Sequence, residues 1–201
     1  MIAKIRLALL ALAMALAAGT PAHAQGAGSA QDRIKGCEFC HGAGGDSSYA
    51  LIPRINGQRF DYLMARLKEF GQVTPDTARG VATMSHAANV EEPLRAQIAG
   101  YFSRQAPAMP THASPDWTLG QQIYRSGLAP SKVAACQTCH GPDGEGKGAA
   151  PRLAGQHASY LKTRLWILTR FNLPGNAGMH RNTVNMTGAE MDAVILYLAN
   201  D

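Results

Sequence analysis

"CEFCHG" at Cys37–Gly42 and "CQTCHG" at Cys136–Gly141 hold all four cysteines of this 201-residue chain. Each pair is spaced C-x-x-C, and a histidine follows at once, His41 in the first and His140 in the second. Disulfides would use the thiols but leave both histidines without a role. A thioredoxin-like redox pair needs an α/β setting, and no stretch of the chain alternates convincingly at period two. A four-cysteine zinc site needs its pairs close together, whereas Cys40 and Cys136 stand 96 residues apart, in separate repeats.

The remaining chemistry accounts for every residue of the motif. C-x-x-C-H is the attachment signature of a c-type haem. The two thiols add across the two vinyl groups of the porphyrin as thioethers, and their spacing lets both reach one edge of the ring. The next histidine is then forced beneath the iron as its proximal ligand. The expectation is two covalently bound c-type haems, one on Cys37 and Cys40, the other on Cys136 and Cys139. His41 and His140 bind the irons.

The motifs belong to a larger repeat. "PRINGQRFDYLMARL" (Pro53–Leu67) and "PRLAGQHASYLKTRL" (Pro151–Leu165) share eight of fifteen positions at a constant offset of 98. A period that long makes each copy a small domain rather than a solenoid turn. Between the copies, "RQAPAMPTHASPD" (Arg104–Asp116) carries three prolines and reads as a linker. The expected division is residues 25–110 and 111–201, preceded by a signal peptide over residues 1–24. That leader has Lys4 and Arg6, the apolar run Leu7–Ala18 and the small-x-small site "AHA" at Ala22–Ala24. Cleavage after about Ala24 places the chain in the periplasm.

Each copy reads as helical. Tyr62, Leu63, Leu67 and Phe70 recur at helical spacing, as do Tyr160, Leu161, Leu165 and Leu168. "TGAE" at Thr187–Glu190 has the pattern of a capping box opening the last helix. "DWTLGQQIYRSG" predicts a helix ending near Gly127. The first copy has only "SAQDRIKG" before Cys37, so its first helix is expected to be short and loosely packed.

A methionine on the far side of each iron would make an electron-transfer centre with raised potential. Met84 lies in an apparent loop 43 residues after His41, enough chain to pass round the haem edge. Met64 reads as a helix-face residue, because Lys162 replaces it in the second copy. Met179 precedes Tyr197 by 18 residues and Met84 precedes Tyr101 by 17, so repeat register favours Met179. Met186 is the alternative; His86 and His180 are lesser ones, and Met191 reads as core. His157 reads as a surface or packing residue.

These features resemble the dihaem cytochromes c of the c-four type. The resemblance rests on the two CxxCH motifs, "PRINGQ…YL", "PRLAGQHASYL" and the methionines before the last helix of each copy. "LGQQIYRSG" is similar to the first helix of a class I cytochrome c, with Gly120 and Tyr124 at the helix crossing. The resemblance implies an all-α protein of two tandem class I cytochrome c-like domains, each wrapped round one haem with His/Met ligation. It implies an electron carrier between a respiratory donor complex and a terminal oxidase, and backbone carbonyls of Pro53 and Pro151 bonded to the proximal histidines. Arg54 and Arg152 then either face haem propionates or are solvated surface charges.

Without residues 1–24 the chain has 17 basic and 14 acidic residues, too weak and scattered a charge for nucleic acid. Redox partners are expected to bind transiently. Peripheral membrane association stays open, since the last helix carries "AVILYL". Two other functions compete with the carrier. A dihaem enzyme of the peroxidase or thiosulfate-oxidising type needs an open iron position. A cytochrome subunit of a dehydrogenase complex differs from the carrier only in its partner.

Overall fold

In the computed structural model, residues 29–71, 84, 87, 90–112, 117–170 and 180–200 are described. The leader and its cleavage site, His86 and Met179 lie outside these residues. Seven α-helices appear among them: α1 (Ala30–His41), α2 (Phe60–Phe70), α3 (Glu92–Ser103), α4 (Trp117–Ser126), α5 (Gln137–His140), α6 (Ala158–Arg170) and α7 (Gly188–Leu198). No extended strand occurs among the described residues; three isolated bridges join loops.

The repeat is visible element by element. α2 matches α6, and α3 matches α7. α1 corresponds to α4 and α5 together. The first helix is longer than the sequence predicts, at twelve residues, and runs unbroken through the first CxxCH. Its start is a capping box: Ser29 Oγ accepts the Asp32 N–H at 3.2 Å and Asp32 accepts the Ser29 N–H at 3.2 Å. Its packing is loose, as expected, with only Ala30 and His41 buried. The predicted capping box of α7 is present, through Thr187 and Glu190. α4 ends at Ser126, where Gly127 takes φ +70, as the sequence predicts.

Each half has its own apolar core. The first joins Leu63 and Leu67 of α2 to Ile98, Ala99 and Phe102 of α3. The second joins Ile123 and Tyr124 of α4, Leu161 of α6, and Val194, Ile195, Tyr197 and Leu198 of α7. The apolar run of α7 is therefore core, with only Leu196 substantially exposed. Helices α4 and α7 cross at Gly120, where a Cβ would stand 2.0 Å from the Ala193 carbonyl oxygen.

The seam between the halves is polar and repeats the duplication's symmetry. The Gln156 amide accepts the Arg54 N–H at 2.9 Å and donates to the Arg54 carbonyl at 2.9 Å. The Gln58 amide accepts the Arg152 N–H at 2.7 Å and donates to the Arg152 carbonyl at 3.0 Å. Both glutamines are buried. Each side chain thus satisfies a backbone donor and acceptor that would otherwise be stranded away from water.

The proline-rich connection is not a free spacer. The Ala106 carbonyl accepts from Asn56 at 2.8 Å, the Thr111 N–H donates to the Ala199 carbonyl at 3.1 Å, and Asn200 donates to the Met109 carbonyl at 2.5 Å. His112 stacks on Tyr197, with ring centres 5.4 Å apart. The segment lacks apolar periodicity because it is fastened mostly through backbone groups, which leave no side-chain pattern.

Two stability effects follow. Gly120→Val forces the α4–α7 crossing apart, and should cost about 1–3 kcal/mol or more, read as a lower Tm. Gln156→Ala strands the Arg54 backbone groups and should cost about 1–3 kcal/mol. Its visible haem spectrum should stay unchanged, because the lost bonds lie in the seam. An unchanged Tm would mean that the seam is not formed in solution.

Candidate haem-binding centres

The two CxxCH motifs end on the same geometry. The His41 Nδ1–H donates to the Pro53 carbonyl at 2.8 Å, and the His140 Nδ1–H donates to the Pro151 carbonyl at 2.9 Å. A carbonyl only accepts, so the bond sets the tautomer and leaves each Nε2 lone pair free for a metal. The prolines are delivered by a repeated loop closure. The Gly45 carbonyl accepts the N–H groups of Ile55 and Asn56 at 2.8 and 3.2 Å; the Gly144 carbonyl accepts those of Leu153 and Ala154 at 2.7 and 3.0 Å.

Glycines let the chain turn sharply at the end of each motif. Gly42 and Gly141 have φ +79 and +82, a region that side chains avoid. A Cβ on Gly42 would stand 2.3 Å from the Asp46 carbonyl oxygen. Both turns are tied to helices, by different means. Tyr124 of α4 donates to the Gly141 carbonyl at 2.6 Å. In the first half Tyr101 of α3 donates to Glu38 at 2.8 Å, and Glu38 also accepts the Gly44 N–H at 2.8 Å.

Burial holds the His41 and His140 imidazoles below their ordinary pKa, against the opposing pull of the proline carbonyls. The neutral form is the ligand form. No disulfide joins the four cysteines. Burial raises the Cys37 thiol and pushes the Cys136 thiol up to about 11. A redox-active CxxC needs the opposite shift. Paired cysteines clear of any disulfide, beside an imidazole with one nitrogen committed and one available, fit covalent haem.

The methionines divide. Met84 is half-buried against the first core cluster, which also receives Cys37 and Met64. Met186 and Met191 pack against the second cluster with Cys136. Met179 lies outside the described residues. His180 is half-buried, its ring centre 6.1 Å from that of His140.

Arg54 and Arg152 extend across the seam. The Arg54 guanidinium donates to the Gly155 and Asn200 carbonyls at 3.0 and 2.7 Å and pairs with Asp46 at 3.0 Å. Arg152 donates to the Ala154 and Ala108 carbonyls at 3.1 and 3.3 Å. His157 is buried and bonds through Nε2 to the Ser47 carbonyl at 2.8 Å, in the loop after the first CxxCH. Sequence reasoning missed the pairing of Gln58 and Gln156. The signal was the "GQ" shared by both copies, at Gly57–Gln58 and Gly155–Gln156.

A helical chain with two such centres is a c-type cytochrome with two haems, and comparison with known proteins gives its family. The cytochrome c family profile matches residues 117–200. Cytochrome c4 of Azotobacter vinelandii is 33% identical over 203 residues, covering 95% of this chain and 97% of that protein. The thiosulfate dehydrogenase electron acceptor of Thiomonas intermedia (strain K12) is 34% identical over 176 residues, 81% of this chain and 77% of that one. The cytochrome c4 structure from Acidithiobacillus ferrooxidans superposes with a TM-score of 0.68 at 30% identity, covering 82% of this chain and 98% of the other. The chain belongs to the cytochrome c4 family: it is a dihaem electron-transfer cytochrome of two tandem class I cytochrome c folds, with two covalently bound c-type haems.

Proposed function

We propose that the chain is a periplasmic electron carrier, passing electrons from a respiratory donor towards a terminal oxidase and catalysing no bond chemistry itself. The observation that carries this reading is the repeated centre, in which a Pro53 or Pro151 carbonyl holds the histidine of a CxxCH motif at 2.8 or 2.9 Å. Cys37, Cys40, His41 and Met84 hold the first haem; Cys136, Cys139, His140 and Met179 hold the second, with Met186 the alternative to Met179. When bound, the haems supply a one-electron iron couple tuned by axial ligand, burial and hydrogen bonding. The chain's part is to attach them, hold both imidazoles neutral and oriented, and keep the centres in one frame through the Gln58 and Gln156 seam. The leader is removed after Ala24, and the two haem-binding domains divide between residues 110 and 111.

Donor and acceptor bind transiently, with association rates that fall as salt rises. Among the described residues no helix is long and apolar enough to cross a membrane. A second reading is supported by the relative from Thiomonas intermedia, whose name makes it an electron acceptor of thiosulfate dehydrogenase. It changes the donor and leaves the carrier chemistry as it is.

An optical redox titration of the protein carrying both haems tests the carrier reading. Two low-spin haems with raised potentials and no reaction with carbon monoxide are expected. A high-spin or carbon monoxide-binding haem would favour the enzyme. Met84→Ala should open the first haem to added imidazole; if its spectrum does not change, another residue is the ligand.

A further inference from the structure

Glu38 is the one charged residue inside either C-x-x-C pair, and Gln137 takes its place in the second copy. It directly follows Cys37, so its backbone is tied to an attachment point of the first haem. The carboxylates just past the motifs are matched between the copies: Asp46 stands five residues after His41, and Glu145 five after His140. Lys35 has no charged counterpart either, since Ala134 replaces it, but it is exposed, where water and salt screen it. Glu38 is half-buried and is screened less.

Two partners fix the Glu38 carboxylate. Its Oε1 accepts the Tyr101 hydroxyl at 2.8 Å and the Gly44 N–H at 2.8 Å. Hydrogen bonds to an ionised acceptor are among the stronger ones, and these come from two different places, α3 and the glycine turn after the motif. Gln137 is held elsewhere: its amide donates to the Arg125 carbonyl at 2.6 Å, near the end of α4. Tyr197, the counterpart of Tyr101, lies against Tyr124 and His112 instead.

The field of Glu38 registers at the attachment point. Burial first, and then the Glu38 charge, raise the Cys37 thiol, with Arg33 pulling less strongly the other way. Burial first, and then Cys139, raise the Cys136 thiol, and among the described residues no carboxylate takes part. Where a negative charge is unfavourable, an added electron is unfavourable for the same Coulombic reason.

We propose that Glu38 sets the reduction potential of the first haem, its fixed carboxylate stabilising the ferric iron, and that Tyr101 is the positioning residue that keeps it there. Reduction adds one electron from the redox partner to the iron. No bond forms or breaks and no proton moves, so the carboxylate acts through its charge alone. The inference rests on the haem assignment above, with Cys37 and His41 at the first centre.

The test uses the full mature protein with both haems attached. Mass spectrometry comes first, and fewer than two haems per chain would overturn the haem assignment rather than the role of Glu38. The readouts are the two reduction potentials, each haem followed by its own nuclear magnetic resonance signals, and Tm. Glu38→Gln keeps an oxygen that can accept from Tyr101 and Gly44, so it removes the charge and leaves the packing. It should raise one potential, leave the other in place and hold Tm. Gln137→Glu should lower the other potential, and by less, because no tyrosine fixes its side chain. Tyr101→Phe releases the carboxylate and should reproduce part of the Glu38→Gln rise. Two unchanged potentials in Glu38→Gln would overturn the proposal. So would an equal rise in both, which is the mark of net charge rather than of a local carboxylate. A Tyr101→Phe protein with wild-type potentials would overturn the positioning role of Tyr101.

Discussion

The bond from each CxxCH histidine to a proline carbonyl organises the rest of the molecule. A histidine at a helix end can rotate and can carry its proton on either nitrogen. The Pro53 and Pro151 carbonyls remove both freedoms at once. Each carbonyl is in place because Gly45 or Gly144 accepts two consecutive N–H groups of the proline segment, closing the loop over the histidine. The glycines that follow each motif, with φ near +80, allow the closure. Burial then favours the neutral imidazole. Attachment, tautomer and charge state thus depend on one short loop, used twice.

The same loop also joins the halves. Arg54 and Arg152 directly follow the prolines, and their backbone groups are the ones bonded by Gln156 and Gln58. The segment that orients one histidine is therefore locked to the segment that orients the other. Their guanidinium groups extend the lock to carbonyls at Gly155, Asn200 and Ala108. A polar seam suits this task. Its hydrogen bonds set register, whereas apolar contact alone tolerates sliding.

The motifs and the duplication made the fold class and the two c-type haems legible, because covalent chemistry leaves a fixed spacing. Capping at Thr187 and the glycine at the α4–α7 crossing were legible from local pattern. The seam was not, since Gln58 and Gln156 bind backbone atoms, and a backbone partner leaves no sequence trace. The length of α1 was misjudged for a related reason: its stability comes from the Ser29–Asp32 box rather than from an apolar face. Residues 104–112 looked like a spacer because most of their bonds run through backbone groups. Arg54 and Arg152 had been weighed as propionate partners or surface charges, and the seam gives them a further role that only tertiary structure reveals.

The copies have also diverged in ways that act on the two irons. Glu38 occupies the first C-x-x-C where Gln137 occupies the second. Glu38 accepts hydrogen bonds from Tyr101 and Gly44, which keep it beside the motif. A fixed carboxylate favours the more positive, ferric iron. α1 buries little beyond Ala30 and His41, whereas α4 buries Gly120, Ile123 and Tyr124 under α7. Poorer burial also favours the more highly charged state. Both differences push the first centre's potential down relative to the second, given methionine at each iron.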